Sequence, residues 1–137
     1  MCAVSQETAL RVFATKEFAR FARKERIGSS QLCEAVSRAG NGLIDADLGG
    51  GVIKQRVARQ GQGRSGGYRT IIAFRSGDRS IFMYGFAKNS KANLSDDELE
   101  VYRRLATVFL EADAAIVQRL IAAGELKEVE CDDQEGA

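Results

Sequence analysis

Between Ser80 and Phe86 the chain reads Ser80-Ile81-Phe82-Met83-Tyr84-Gly85-Phe86, an almost unbroken apolar run with no charged side chain. Such a run marks a central, buried strand, because a strand wetted on one side alternates instead. It constrains the fold more than any other segment, since a buried strand needs neighbours. Two are at hand. Val52-Ile53-Lys54-Gln55-Arg56-Val57-Ala58-Arg59 and Tyr68-Arg69-Thr70-Ile71-Ile72-Ala73-Phe74-Arg75 are rich in β-branched and aromatic residues. Ser76-Gly77-Asp78-Arg79 reads as the hairpin loop joining the second strand to the third, so consecutive strands pair in a meander.

Helical patterns flank this block. Leu10 to Ala14 alternates as a short first strand, and Thr15 offers an N-cap for a helix through Glu25 that gathers Phe18, Phe21 and Ala22. Gly28 is expected to end it. Ser29 or Ser30 then caps a second helix carrying Leu32, Ala35, Val36 and Ala39, which Gly40 terminates before a polar turn from Asn41 to Gly51. After the strands, Ser95 and Glu98 form a capping box flanked by Leu94 and Leu99. The helix it opens repeats Leu99, Tyr102, Leu105, Ala106 and Phe109 at helical spacing. A second piece from Asp113 carries Ile116, Val117, Leu120 and Ile121 to Gly124, and Leu126 to Val129 adds a short strand. The class is α+β: a small antiparallel meander sheet with two N-terminal helices and a C-terminal helical segment. Helices are expected on one side of the sheet, leaving the other face for a ligand or solvent. The 137 residues suit one domain, with a core from about residue 10 to 129 and a frayed acidic tail over 130–137.

What the chain lacks narrows its chemistry. It has no histidine, which excludes Ser-His-Asp triads, histidine acid/base work and histidine-ligated zinc. No metal and no cofactor are expected. Gly61-Gln62-Gly63-Arg64-Ser65-Gly66 matches a dinucleotide fingerprint in letters only. It leads into a strand, whereas that fingerprint must open a helix. No stretch is long and apolar enough for a membrane span, and the N-terminus has no secretory pattern. Cys2, Cys33 and Cys131 are odd in number and far apart, which suits free thiols in a reducing, cytoplasmic setting.

The formal net charge is +1, but its distribution is uneven. Between residues 51 and 91 stand nine basic residues, Lys54, Arg56, Arg59, Arg64, Arg69, Arg75, Arg79, Lys88 and Lys91, against the single acid Asp78; residues 92–137 carry a matching acidic excess. A basic block of this density is the footprint of a polyanion partner, or else a solvated face balanced by the acidic third. Alternation places Lys54 and Arg56 on one face of their strand and Arg69 opposite Tyr68, Ile72 and Phe74 on the next, so the hydrophobic register brings the three cations onto one surface. Two cations about 6 Å apart repel by about 3 kcal/mol at an effective dielectric of about 20, crowding that is tolerated where an anion binds.

The strand Val52–Arg59, the glycine-rich loop, Ser65-Gly66-Gly67-Tyr68-Arg69-Thr70-Ile71-Ile72 and Met83-Tyr84-Gly85-Phe86-Ala87-Lys88-Asn89 together resemble the RelE/HigB toxins of type II toxin–antitoxin pairs, within the RelE/ParE superfamily. The resemblance runs from about Leu10 to Val129 and is most specific from Lys54 to Asn89. It implies a RelE-like fold and a ribosome-dependent mRNA endonuclease. Such an enzyme cleaves by attack of the ribose 2′-hydroxyl on the adjacent phosphorus, works with cations, and is silenced by an antitoxin, expected to be a helix-turn-helix protein. The family's catalytic basic positions fall on Lys54, Arg56, Arg69 and Lys88. Arg59, Arg64, Tyr68, Arg75 and Lys91 are the expected RNA contacts. RelE itself has a catalytic tyrosine near its C-terminal end. Here nothing equivalent follows Lys91 until Tyr102, which sits on an apolar helix face. Two rivals stand beside this reading: a ParE-like, non-enzymatic inhibitor of DNA gyrase, and an RNA-binding module without catalysis, whose affinity would fall steeply with salt.

Overall fold

Thr15 is where the first strand becomes the first helix. Its backbone stays extended while its hydroxyl accepts a hydrogen bond from the Phe18 N–H at 3.2 Å. The computed structural model describes residues 11–59, 63–87 and 94–131, and for Arg59 and residues 63–66 the backbone alone. Within them the order is β1 (Arg11–Thr15), α1 (Lys16–Glu25), α2 (Ser29–Gly40), β2 (Ala46–Gly49), β3 (Val52–Arg59), β4 (Gly63–Arg75), β5 (Arg79–Ala87), α3 (Asp96–Glu111), α4 (Ala114–Ala122) and β6 (Leu126–Val129).

The expected α+β class is what the chain adopts. Some boundaries differ for local reasons. Helix α1 stops at Glu25 because Arg26 turns left-handed at φ 61°, before the chain reaches Gly28. Gly28 instead is the N-cap of α2, where the Gln31 side chain accepts its N–H at 2.7 Å; Ser29 and Ser30 are already helical. The polar turn after α2 contains β2, an edge strand too short to show a period. The capping box of α3 forms as the sequence suggests: Glu98 N–H donates to Ser95 Oγ at 3.1 Å and Ser95 N–H to Glu98 Oε1 at 2.9 Å. Asp113 caps α4 in the same way, accepting from Ile116 N–H at 2.9 Å.

The six strands lie in the order β2-β3-β4-β5-β1-β6, antiparallel except where β1 runs parallel beside β5. The meander β3-β4-β5 is therefore present, widened by β2 on one side and by β1 and β6 on the other. Helices cover both faces, which corrects the expectation of a one-sided arrangement. Val12, Ala14, Ile53, Val57, Ile72 and Phe82 pack under α1 and α2 against Phe18, Leu32, Ala35 and Val36. Phe13, Val52, Ile71, Ala73, Ile81 and Met83 pack under α3 and α4 against Ala106, Leu110 and Val117. The physical reason lies in the apolar run of β5: Ile81, Phe82 and Met83 alternate between the two cores, so both sides of the strand need cover.

Two features of β5 shape the face beneath α3. Register slips between Ile71, which faces Tyr84, and Ile72, which faces Phe82, so Met83 is an extra residue. This bulge turns Met83 and Tyr84 toward the same α3-side core. Gly85 then lets α1 approach: a Cβ there would stand 2.6 Å from the Phe21 ring and 2.9 Å from that of Phe18.

The cysteines depart from expectation. Cys33 on α2 and Cys131 just beyond β6 are disulfide-bonded with Cα atoms 5.7 Å apart, although 98 residues separate them in sequence. Sequence distance concealed the pairing, because the short strand β6 returns to the flank of α2. Cys2, and the tail beyond residue 131, lie outside the described residues.

Candidate anion-binding site

Period-two alternation along β3 sends Ile53, Gln55 and Val57 toward α2, and Val52, Lys54 and Arg56 toward the α3 side. On β4 the same rule sends Ile71, Ala73 and hence Arg69 to the α3 side. The β3–β4 register makes Arg56 and Arg69 direct cross-strand partners, with Lys54 facing Ile71 in the row below. Across β5, Arg69 faces Phe86 and Ile71 faces Tyr84. Arg56, Arg69 and Phe86 thus form one row across three strands; Lys54, Ile71 and Tyr84 form the next. Helix α3 covers the lower end of this face, and the Arg56 side chain remains 44% exposed beyond it.

A like-charged pair set directly opposite is unfavourable in a sheet, so the partners of each arginine are informative. Arg69 Nη1 is buried and has no hydrogen-bond partner among the described residues. A buried cationic donor left unsatisfied costs more than about 1 kcal/mol unless a ligand serves it. Arg56 is engaged. Its backbone N–H donates to Asp45 Oδ2 at 2.7 Å, and its Nη2 lies 3.4 Å from Asp45 Oδ1. Arg38 reaches the same carboxylate, Nη1 to Oδ2 at 3.5 Å, is bridged to Glu34 at 3.0 Å, and donates Nη2 to the Arg56 carbonyl. Burial alone would raise the Asp45 carboxyl. The hydrogen bond from the Arg56 backbone and the charges of Arg56 and Arg38 outweigh it and hold the group below its ordinary range.

Asp45 is itself fixed. Its N–H donates to Gln55 Oε1 at 2.7 Å, and the fully buried Gln55 amide donates to the carbonyls of Ala35 at 3.0 Å and Leu43 at 3.2 Å. Sequence reasoning overlooked Asp45 and Arg38. Neither belongs to the basic block, and the one available signal was an acid on the turn leading into the sheet edge.

Aromatic side chains border the cations. Tyr84 stacks on Tyr102 of α3 with centroids 5.7 Å apart and rings at 29°, and packs against Phe86 at 5.8 Å. Burial, reinforced by Glu17, Tyr84 and Glu98, pushes the Tyr102 hydroxyl up to about 12, so it keeps its proton well above neutrality. Tyr102, which the sequence placed on an apolar helix face, thus stands beside the second row of the site. A cavity of about 70 Å³ lies between that row and the start of α3, walled by Leu48, Lys54, Ile71, Phe86, Leu94 and Leu99.

The remaining expected contacts fare differently. Tyr68 is a correction: it is 3% exposed, faces α1, donates its hydroxyl to Glu25 Oε1 at 3.0 Å and meets Phe21 edge-on at 5.6 Å. It is core, and no base can stack on it. Arg75 pairs with Asp78 at 3.1 Å at the β4–β5 turn, about 20 Å along the strand from Arg69 at about 3.3 Å per residue. The side chains of Arg59 and Arg64, and the whole of Lys88 and Lys91, lie outside the described residues. Among the described residues no three acidic or thiol side chains are grouped to hold a metal ion, and no helix is long and apolar enough to cross a membrane.

Two arginines at directly opposed positions of adjacent strands, one with a buried donor that meets no partner among the described residues, are suited to a phosphodiester: each guanidinium can grip two oxygens, and neither loses its proton. Residues 10–129 match the family model described as the RelE toxin of the RelE / RelB toxin-antitoxin system. No curated protein matches the chain.

Proposed function

Since the chain belongs to the RelE toxin family of toxin–antitoxin systems, we propose that it is a ribosome-dependent mRNA endonuclease, held inactive by a helix-turn-helix antitoxin. The observation that carries this reading is the cross-strand pair Arg56 and Arg69, with a buried nitrogen on Arg69 that has no partner among the described residues. In the proposed reaction the ribose 2′-oxygen attacks the adjacent phosphorus while its proton goes to a base. The 5′-oxygen leaves with a proton from an acid, and the phosphorus carries extra negative charge between the two steps. Arg69 and Arg56 stabilise that charge. Lys54, one row below, is the candidate base, and Lys88 the candidate fourth cation. The ribosome supplies position, which by itself is worth several kcal/mol.

The test is expression without antitoxin, with translation and mRNA integrity as readouts. Wild-type chain is expected to stop translation and leave cut messages. Arg69→Gln, checked for an unchanged melting curve, is expected to restore growth. An Arg69→Gln chain as toxic as wild type would overturn the reading. A supercoiling assay on the same preparations reports gyrase inhibition, the ParE-like activity, which Arg69→Gln would leave untouched.

A further inference from the structure

The two arginines of the site are not equivalent: among the described residues one donor of Arg69 meets no partner, whereas Arg56 already rests against a carboxylate. We infer that Asp45 is an internal counter-anion that holds Arg56 in the row while the site is empty and releases it to a substrate phosphate. This rests on the nuclease reading of the site and adds a positioning residue to it.

Three features support the exchange. The first is that the carboxylate is fixed independently of the Arg56 side chain. Strand β2 pairs with β3 no farther than Ala46 opposite Lys54, so the Arg56 N–H lies past its end. Asp45 Oδ2 takes that N–H in place of a strand carbonyl, and Gln55 holds the Asp45 backbone from below. The second is that the contact to the guanidinium is the weak one. It is single, 3.4 Å long and made by a side chain 44% exposed. A phosphate offers two oxygens to the same fork and a shorter, paired contact. The third is that the release leaves no orphan charge. Arg38, only 13% exposed and braced by Glu34, still touches Asp45 at 3.5 Å after Arg56 has left. The ion pair changes partners without stranding the acid in a partly buried place.

In the empty protein Asp45 also softens the repulsion between Arg56 and Arg69 across the ladder. A polyanion that merely drifts against the face meets one arginine already occupied. A phosphodiester seated on Arg69 is placed to draw the second across. Asp45 therefore raises the threshold for indiscriminate RNA binding.

The experiment measures binding of a single-stranded 2′-O-methyl RNA oligomer, which lacks the attacking hydroxyl, to the full chain over a range of salt. Asp45→Asn keeps an acceptor for the Arg56 N–H and removes the competing charge. Expected is binding about 2- to 5-fold tighter, the worth of an exposed ion pair, with the salt slope of wild type, because Arg56 meets a phosphate in both complexes. Arg56→Gln, which loses that contact, is expected to flatten the slope by about 0.7. In that background Asp45→Asn is expected to tighten binding far less. Equal tightening in both backgrounds, or no tightening in Asp45→Asn, overturns the inference while leaving the nuclease reading in place. Failure of the wild-type chain to bind the oligomer at low salt overturns both. Should Asp45→Asn fail to fold, the guanidinium signals of wild-type protein decide. During titration with the oligomer the Arg56 side-chain N–H must shift more than that of Arg38. An Arg56 signal unmoved at saturation overturns the proposal.

Discussion

Arg56 and Arg69 sit opposite each other because β3 and β4 alternate in step, and each side chain's surroundings then decide its use. The same holds for Tyr102, whose hydroxyl is raised from an ordinary 10.0 to about 12 by burial against Tyr84. A group whose folded value is raised lends stability in full below its unfolded value and loses it as pH climbs through the folded one. Ultraviolet titration of the phenolate band is therefore expected to include ionisation of Tyr102 near pH 12. Tyr102→Phe should remove one phenolate from the late part of the curve, and a late part left unchanged would assign the shift elsewhere. Gly85 invites a second measurement. Gly85→Ala drives a methyl to within 2.6 Å of Phe21 and is expected to destabilise the fold by about 1–3 kcal/mol, read from thermal or urea melts. At this scale Lys54, Arg56 and Arg69 were legible from strand alternation alone. Tyr68 was not, because alternation places it on a face without saying that α1 covers that face with Phe21. Asp45 was invisible, since its partners come from α2 and β3 and no spacing in the chain announces them.

The elements most legible in the sequence were those with their own local chemistry. Helix α3 begins where the Ser95–Glu98 capping box says it should, and Ser95→Ala is expected to cost about 1 kcal/mol, seen as a lowered melting temperature. The meander β3-β4-β5 was equally plain from β-branched and aromatic runs. Strand β2 was hidden because four residues cannot display a period, and it owes its existence to pairing with β3 rather than to its own side chains. The parallel placement of β1 beside β5 was likewise a tertiary outcome, made by the return of the chain after α2. The bulge at Met83 could not be read from the run Ile81–Phe86 either. An almost uniformly apolar strand gives no sign of where its alternation slips.

At the scale of the whole molecule, a sheet with two covered faces carries two separate cores, and the cations occupy the end of one face that α3 leaves open. The apolar content of β5 implied two covers, whereas the α+β class had suggested helices on one side only. The disulfide was beyond reach for the opposite reason: only the complete fold brings β6 back to α2. Closing a loop of 98 residues is worth about 4–5 kcal/mol in chain entropy. Reduction, or Cys33→Ser, is expected to lower the urea midpoint accordingly, and an unchanged midpoint would mean that the thiols are already apart in solution. The bond has a further consequence for the fate of the chain. With residues 33 and 131 joined, the intervening polypeptide is a covalent ring. A protease that severs it once, at a turn such as Ser76–Asp78, yields no fragments until a thiol reagent opens the ring, so the nicked species migrates as intact protein on a non-reducing gel and as two pieces on a reducing one.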